Sequence, residues 1–155
     1  MKINIAILGS TGSIGENILD IVRKDKKNLK VVLLTANKNY KKLIQQAKEF
    51  KVKNILIYND KYYEFLKVKL KGRKINIFSR KTKLNKIFKK KVDYTICGIS
   101  GLDGLKPTLD VIKFTKTIAS ANKESIICGW YLINKKLKKY NTKFIPIDSE
   151  HYSIW

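Results

Sequence analysis

Apolar residues in this chain gather in seven short runs, at residues 3–8, 31–36, 54–58, 75–78, 93–97, 117–121 and 143–147, each of strand length. Between them the apolar positions recur at helical spacing. Ile14, Ile18, Ile21 and Val22 share one face of a first helix, and Ile126, Trp130, Ile133 and Leu137 share one face of the last long one. Runs without strict alternation are what strands covered on both faces look like. Strand alternating with helix throughout then builds a mainly parallel sheet with helices on both sides. The expected fold is α/β and doubly wound, with about seven strands. No repeat or low-complexity linker marks a boundary inside the chain. Pro107 fits the first turn of a helix over 106–115, where its missing N–H costs nothing. Gly129 sits inside the last long helix, where glycine costs about 1 kcal/mol relative to alanine, so a close helix contact is expected there.

The first strand empties into Gly9-Ser-Thr-Gly-Ser-Ile-Gly15 and then into a helix. That order makes a phosphate-binding opening of the Rossmann-like, dinucleotide-binding kind. Gly9 serves the tight turn, Gly12 lets backbone approach a pyrophosphate, and Gly15 lets the helix pack close on its strand. In such a sheet ligands bind beyond the carboxyl ends of the strands. The residues there are therefore the ones to question. After the second strand come Asn37, Lys38 and Asn39, and no Asp or Glu occurs from residue 26 to residue 48. A ribose bearing free hydroxyls asks for a carboxylate in that region, whereas a lysine suits a 2′-phosphate, so NADPH is expected over NADH. After the sixth run come Asn122, Lys123 and Glu124, of which Asn122 also fits a helix N-cap. After the seventh come Asp148, Ser149 and Glu150. Two carboxylates two residues apart can meet on one hard cation such as Mg2+ or Mn2+, and they can equally belong to a capped loop.

Composition changes this picture little. The 155 residues carry a formal net charge of +22, with 44% hydrophobic and 30% charged residues, a globular balance. Only Arg23, Arg73 and Arg80 are arginines; the other basic residues are lysines scattered along the chain. Readers of base edges favour arginine forks, so no specific nucleic-acid partner is expected, although the positive field favours anionic phosphorylated ligands. No apolar run approaches the roughly 20 residues of a membrane span and no signal core opens the chain, so a cytoplasmic protein without a membrane partner is expected. Cys97 and Cys128 both lie in apolar settings, and both are expected as buried free thiols. With a single His151 they cannot assemble a zinc site.

With GSTGSIG, ANKES and PIDSEH in this order, the chain resembles the 1-deoxy-D-xylulose 5-phosphate reductoisomerase family from residue 3 to residue 155. The resemblance implies that residues 1–155 form an NADPH-binding domain ending at the start of a metal and substrate site, with the catalytic and C-terminal domains lying outside this chain. It implies cofactor contacts from Thr11, Gly12, Ser13 and Ile14, from Asn37, Lys38 and Asn39, and from Asn122 and Glu124. Asn37 stands where the family usually has glycine. Lys123 matches a catalytic, substrate-contacting position, Ser149 a substrate-binding one, and Asp148 and Glu150 the catalytic metal ligands, Glu150 also meeting substrate. The implied cation is Mg2+ or Mn2+, with Co2+ a further candidate. The implied reaction rearranges a small phosphorylated sugar, 1-deoxy-D-xylulose 5-phosphate, and reduces the product with NADPH to 2-C-methyl-D-erythritol 4-phosphate. A homodimer is expected at full length, and residues 1–155 alone are expected to be inactive.

Three other readings compete. Tyr63 with Lys67 and Tyr131 with Lys135 have the spacing of a short-chain dehydrogenase pair, yet both fall within helices at the wrong place in the order. A semialdehyde dehydrogenase needs a reactive cysteine, and Cys97 reads as the buried last residue of its strand. A non-catalytic NADPH sensor shares the cofactor loop and lacks the chemistry.

Overall fold

The structure is a computed structural model and describes residues 1–147. Seven strands form one sheet: β1 (Ile3–Leu8), β2 (Leu29–Ala36), β3 (Asn54–Ile57), β4 (Asn76–Ser79), β5 (Val92–Cys97), β6 (Thr115–Ser120) and β7 (Lys143–Pro146). Their spatial order is β4-β3-β2-β1-β5-β6-β7. Every pairing is parallel, so the sheet is wholly rather than mainly parallel. The chain thus winds outward from β1 to one edge, returns to β5 beside β1, and winds to the other edge. This is the doubly wound topology, with its switch point between β1 and β5.

Helices α1 (Ser13–Lys24), α2 (Tyr40–Glu49) and α3 (Asp60–Lys69) cover one face, and α4 (Leu105–Val111) and α5 (Lys123–Tyr140) the other. Alternation along β1 shows why both faces need cover. Ile5 and Ile7 pack with Leu19, Val22, Leu43 and Leu66, while Ala6 and Leu8 pack with Val111, Ile112, Ile133 and Leu137. Opposite β1 the register shifts by one residue: Ile5 pairs with Val31 but Ala6 with Leu33. Val32 is the extra residue of a bulge, so that Val32 and Leu33 both pack into the core beneath α4 and α5 while Val31 and Leu34 pack into the other.

The helical faces differ from expectation in detail. In α1 the buried side is Gly15, Leu19 and Val22 with Ile14 and Ile18 beside it, whereas Ile21 is exposed. In α5, Ile126, Gly129, Ile133 and Leu137 are buried, while Ile127, Cys128, Trp130, Tyr131 and Leu132 point outward. One face of a 3.6-residue period cannot bury so long an apolar run. Cys128 is therefore an exposed thiol, contrary to the expectation for it, and Trp130 packs its ring edge-on to Phe144 from a half-exposed position. The helix expected over 106–115 is shorter: α4 carries Pro107 in its first turn and tightens into a 3-10 turn at Ile112–Phe114. Among the described residues no helix is long and apolar enough to cross a membrane.

Two glycines hold helices close for different reasons. A Cβ on Gly15 would collide with the backbone of Gly9 and Ser10, which cannot turn aside. The nearest atoms that a Cβ on Gly129 would meet belong to the Leu105 side chain of α4. Gly15→Ala is expected to destabilise the fold by about 1–3 kcal/mol through overpacking. Gly129→Ala should stay within about 1 kcal/mol of wild type, because leucine can change rotamer and alanine favours helix. Urea unfolding midpoints check both.

Candidate functional site

The site is built outward from the end of β1. Gly9 turns the chain at φ +80°, and a Cβ there would press on the carbonyl of Gly98, so glycine is required on both counts. The loop is then fastened to β2 and α2. Gly9 N–H donates to Thr35 Oγ1 (3.0 Å) and Ser10 N–H to the Thr35 carbonyl (2.9 Å). Ser10 Oγ donates to Gln46 Oε1 (2.8 Å), and Gln46 Nε2 returns a bond to the Ser10 carbonyl (2.9 Å). Ser10 and Thr35 are wholly buried, so this polar lock ties the loop to β2 and α2 without competition from water.

The lock aims the start of α1 outward. Asn39, Asn59 and Asn122 cap α2, α3 and α5, each side chain accepting from the N–H three residues on. Gly12 gives α1 no side-chain cap. The first-turn donors of a 12-residue helix, with the positive end of its dipole, are left for an anion. A Cβ on Gly12 would meet only Gly9 O, at ordinary contact distance, so inside the protein nothing demands a glycine there. The carboxylate in that turn, Glu16, is neutralised by Lys42 of α2 (2.5 Å).

A cleft of about 960 Å³ opens over the carboxyl ends of the strands, on both sides of the switch point. Thr11, Gly12 and Asn37 line one rim, Gly98, Ile99 and Ser100 another, and Arg80, Lys81 and Thr82 of the turn after β4 a third. Leu8, Leu33, Leu56, Leu84, Phe88 and Val111 make an apolar floor, with Tyr58 among them. Burial pushes the Tyr58 hydroxyl well above its ordinary pKa, so it stays protonated and serves as a neutral hydrogen-bonding group. Burial likewise pushes the Cys97 thiol up to about 11, against a smaller opposing effect of the Thr108 hydroxyl. At neutral pH Cys97 is a thiol and no nucleophile, which removes the semialdehyde dehydrogenase reading.

Three of the expected residues line these rims, and the other described ones lie outside the lining. Thr11, Gly12 and Asn37 face the cleft. Ser13 and Ile14 form the first turn of α1, with Ile14 packed into the core behind it. Lys38 and Asn39 are exposed on the β2–α2 loop, Asn39 as the cap of α2, and Lys38 is not among the residues lining the cleft. Asn122 is buried, and its side chain stitches two loops: Nδ2 donates to the carbonyls of Ile99 and Gly101, and Oδ1 accepts from Ser125 N–H. Lys123 and Glu124 are exposed in the first turn of α5. Asp148, Ser149 and Glu150 lie outside the described residues. Among the described residues no cluster of three His, Cys, Asp or Glu side chains could hold a metal ion. Arg80, Lys81 and Tyr58 escaped the sequence reading because they follow β3 and β4, short strands whose ends carry no glycine signature.

Comparison with known proteins agrees with this geometry. A family model described as 1-deoxy-D-xylulose 5-phosphate reductoisomerase matches residues 5–129. The protein of that name from Pelagibacter ubique is 60% identical over 153 residues, 97% of this chain and 39% of its own length. The Zymomonas mobilis reductoisomerase, solved in complex with NADPH, superimposes with a TM-score of 0.87 at 34% identity, over 97% of this chain and 40% of that one. A reductoisomerase solved with NADPH, fosmidomycin and magnesium gives 0.86 at 35% identity, over 96% of this chain and 37% of that one. The chain thus spans about two-fifths of the length of these relatives.

The environments of the two cysteines lead to a direct check. A thiol-reactive dye at pH 7.5 should label Cys128 rapidly and Cys97 only once urea unfolds the chain. Labelling of both at equal rates in the native protein would contradict the burial of Cys97.

Proposed function

The chain belongs to the 1-deoxy-D-xylulose 5-phosphate reductoisomerase family, and on that premise we propose that residues 1–155 are its NADPH-binding domain, ending at the start of the metal and substrate site. One observation carries the reading most: α1, a 12-residue helix, opens onto the cleft from the glycine loop without a side-chain cap, as the seven-residue α4 also does, while α2, α3 and α5 are each closed by an asparagine. The donor set fits the cofactor. Backbone N–H groups of Ser13 and Ile14, with the Thr11 hydroxyl, hold the pyrophosphate at the helix N-terminus, and Gly12 leaves room for it. Asn37, Lys38 and Asn39 receive the adenosine ribose and its 2′-phosphate at the end of β2. Asn122 holds the Gly98–Gly104 loop in register with the start of α5, where Glu124 is read as meeting the cofactor and Lys123 the substrate.

In the complete enzyme Asp148 and Glu150 hold a divalent cation, Mg2+ or Mn2+ or else Co2+, and Ser149 and Glu150 hold the phosphorylated sugar. When bound, NADPH supplies the hydride and the cation polarises the substrate oxygens for conversion of 1-deoxy-D-xylulose 5-phosphate to 2-C-methyl-D-erythritol 4-phosphate. The residues of this chain bind and orient, and orientation alone is worth roughly 7–11 kcal/mol of a barrier. The enzyme is read as a cytoplasmic homodimer.

Isothermal titration of the 155-residue chain should show NADPH binding at least tenfold tighter than NADH, about 1.4 kcal/mol. Lys38→Ala should narrow that gap, and equal affinities in the wild type would overturn the reading. The same chain with 1-deoxy-D-xylulose 5-phosphate and Mg2+ should not oxidise NADPH. At the full length of its relatives, Asp148→Asn or Glu150→Gln should abolish turnover and leave NADPH affinity within a few-fold. A carboxylate variant with full activity would show that the metal is held elsewhere.

A further inference from the structure

Lys38 is the sole cation of the β2–α2 loop ahead of the helix, yet the cationic side chains lining the cleft itself are Arg80, Lys81 and Lys106. Lys106 is paired to Asp110 (2.5 Å) one turn along α4, the helix that follows β5, whereas Arg80 and Lys81 stand on the β4 side of the cleft. Both occupy the centre of a tight turn that ends β4. Thr82 N–H donates to the Ser79 carbonyl (3.0 Å), and Ser79 N–H donates back to Thr82 Oγ1 (3.1 Å). Arg80 and Lys81 are thus presented at the corner of the turn, directly beyond the carboxyl end of an edge strand. Their position along the rim is set by the sheet. β4 lies two strands from β2 and three from β1. At about 4.8 Å per strand the turn stands roughly 10 Å from the end of β2 and roughly 14 Å from the end of β1. Long side chains from this turn therefore meet the adenosine end of a dinucleotide laid across the sheet, and lie far from its pyrophosphate.

The guanidinium is already oriented. Arg80 Nη2 donates to Asp60 Oδ2 (2.7 Å), both side chains being about half exposed. An exposed pair of this kind contributes at most about 1 kcal/mol to the fold, so it restrains the guanidinium while its remaining donors stay available. A planar fork of donors matches a phosphate monoester, and a neighbouring ammonium adds charge.

We propose that Arg80, assisted by Lys81, is a specificity-determining residue that closes on the adenosine 2′-phosphate from the β4 side, opposite Lys38 on the β2 side. This deepens, and rests on, the reading of the cleft as an NADPH site. Two-sided recognition also explains why a single loop lysine suffices at β2.

The test is calorimetric titration of NADPH and NADH into the 155-residue chain and its Arg80→Ala, Arg80→Lys and Asp60→Asn variants. Arg80→Ala should weaken NADPH about tenfold and leave NADH within twofold. Arg80→Lys should recover part of the loss. Asp60→Asn, which removes the ion pair but keeps the guanidinium, should bind NADPH as tightly as wild type or more so. Unchanged NADPH affinity in Arg80→Ala would overturn the proposal, as would equal losses for both cofactors. A loss in Asp60→Asn matching that in Arg80→Ala would show the pair to be merely structural, and would overturn it too. A Lys38→Ala effect without an Arg80→Ala effect would leave the NADPH reading standing and reject this inference alone. Failure of the wild type to distinguish the cofactors would reject both.

Discussion

The approach of α1 to β1 is the constraint on which the rest depends. Gly15 rests against the backbone of Ser10 with no room for a side chain, and Ser10 is locked on its other side by Gln46 and Thr35. Because these polar groups are buried, breaking one bond leaves its partner without water to replace it, at about 1–3 kcal/mol each. These bonds hold Gly9 and Ser10 in the observed conformation. That conformation sends the first turn of α1, without a side-chain cap, toward the carboxyl edge of the sheet. A capped or differently tilted α1 would take the donors of its first turn away from the end of β1.

The second element of the site follows from topology. Between β1 and β5 the connecting chains leave toward opposite faces, so the loops after these strands diverge and a crevice opens between them. Its two lips remain joined at the base. Gly98 N–H donates to the Leu8 carbonyl (2.9 Å) across the crevice, and Ala121 N–H to the Cys97 carbonyl (3.1 Å) ties the end of β6 to that of β5. Asn122 then binds the Gly98–Gly104 loop to the start of α5, where no side chain fits at Gly104 against its amide. Rigid lips of this kind suit a cofactor whose reacting end must be aligned with a separately held substrate. The large positive charge plays little part in that geometry, since most of the lysines lie on solvated faces and only a few border the cleft.

Much of this was legible in the sequence, because the signals there were steric. The seven strands were readable since two-sided burial demands unbroken apolar runs, and boundaries moved by only one or two residues. The glycine loop was readable since Gly9 and Gly15 answer to backbone collisions. Side-chain direction was less so. Ile21 and Cys128 are apolar residues beside a buried face, and only the packing of each helix decides that they turn outward. The polar lock through Gln46 was invisible, since a glutamine in a lysine-rich helix looks solvated until its loop partner is known. Arg80 was hidden in the same way, an arginine among many cations whose place at the cleft comes from strand order.

On the proposed reading, the loop at the end of β1 presents an anion site to the pyrophosphate of NADPH. Titration of the uniformly 15N-labelled 155-residue chain with NADPH, followed by amide chemical shifts, tests it most directly. The largest changes are expected at Thr11–Ile14, smaller ones at Asn37–Asn39, and none in the last turns of α5 around Lys135–Lys139. Shifts concentrated on those α5 lysines, with Thr11–Ile14 unmoved, would contradict it.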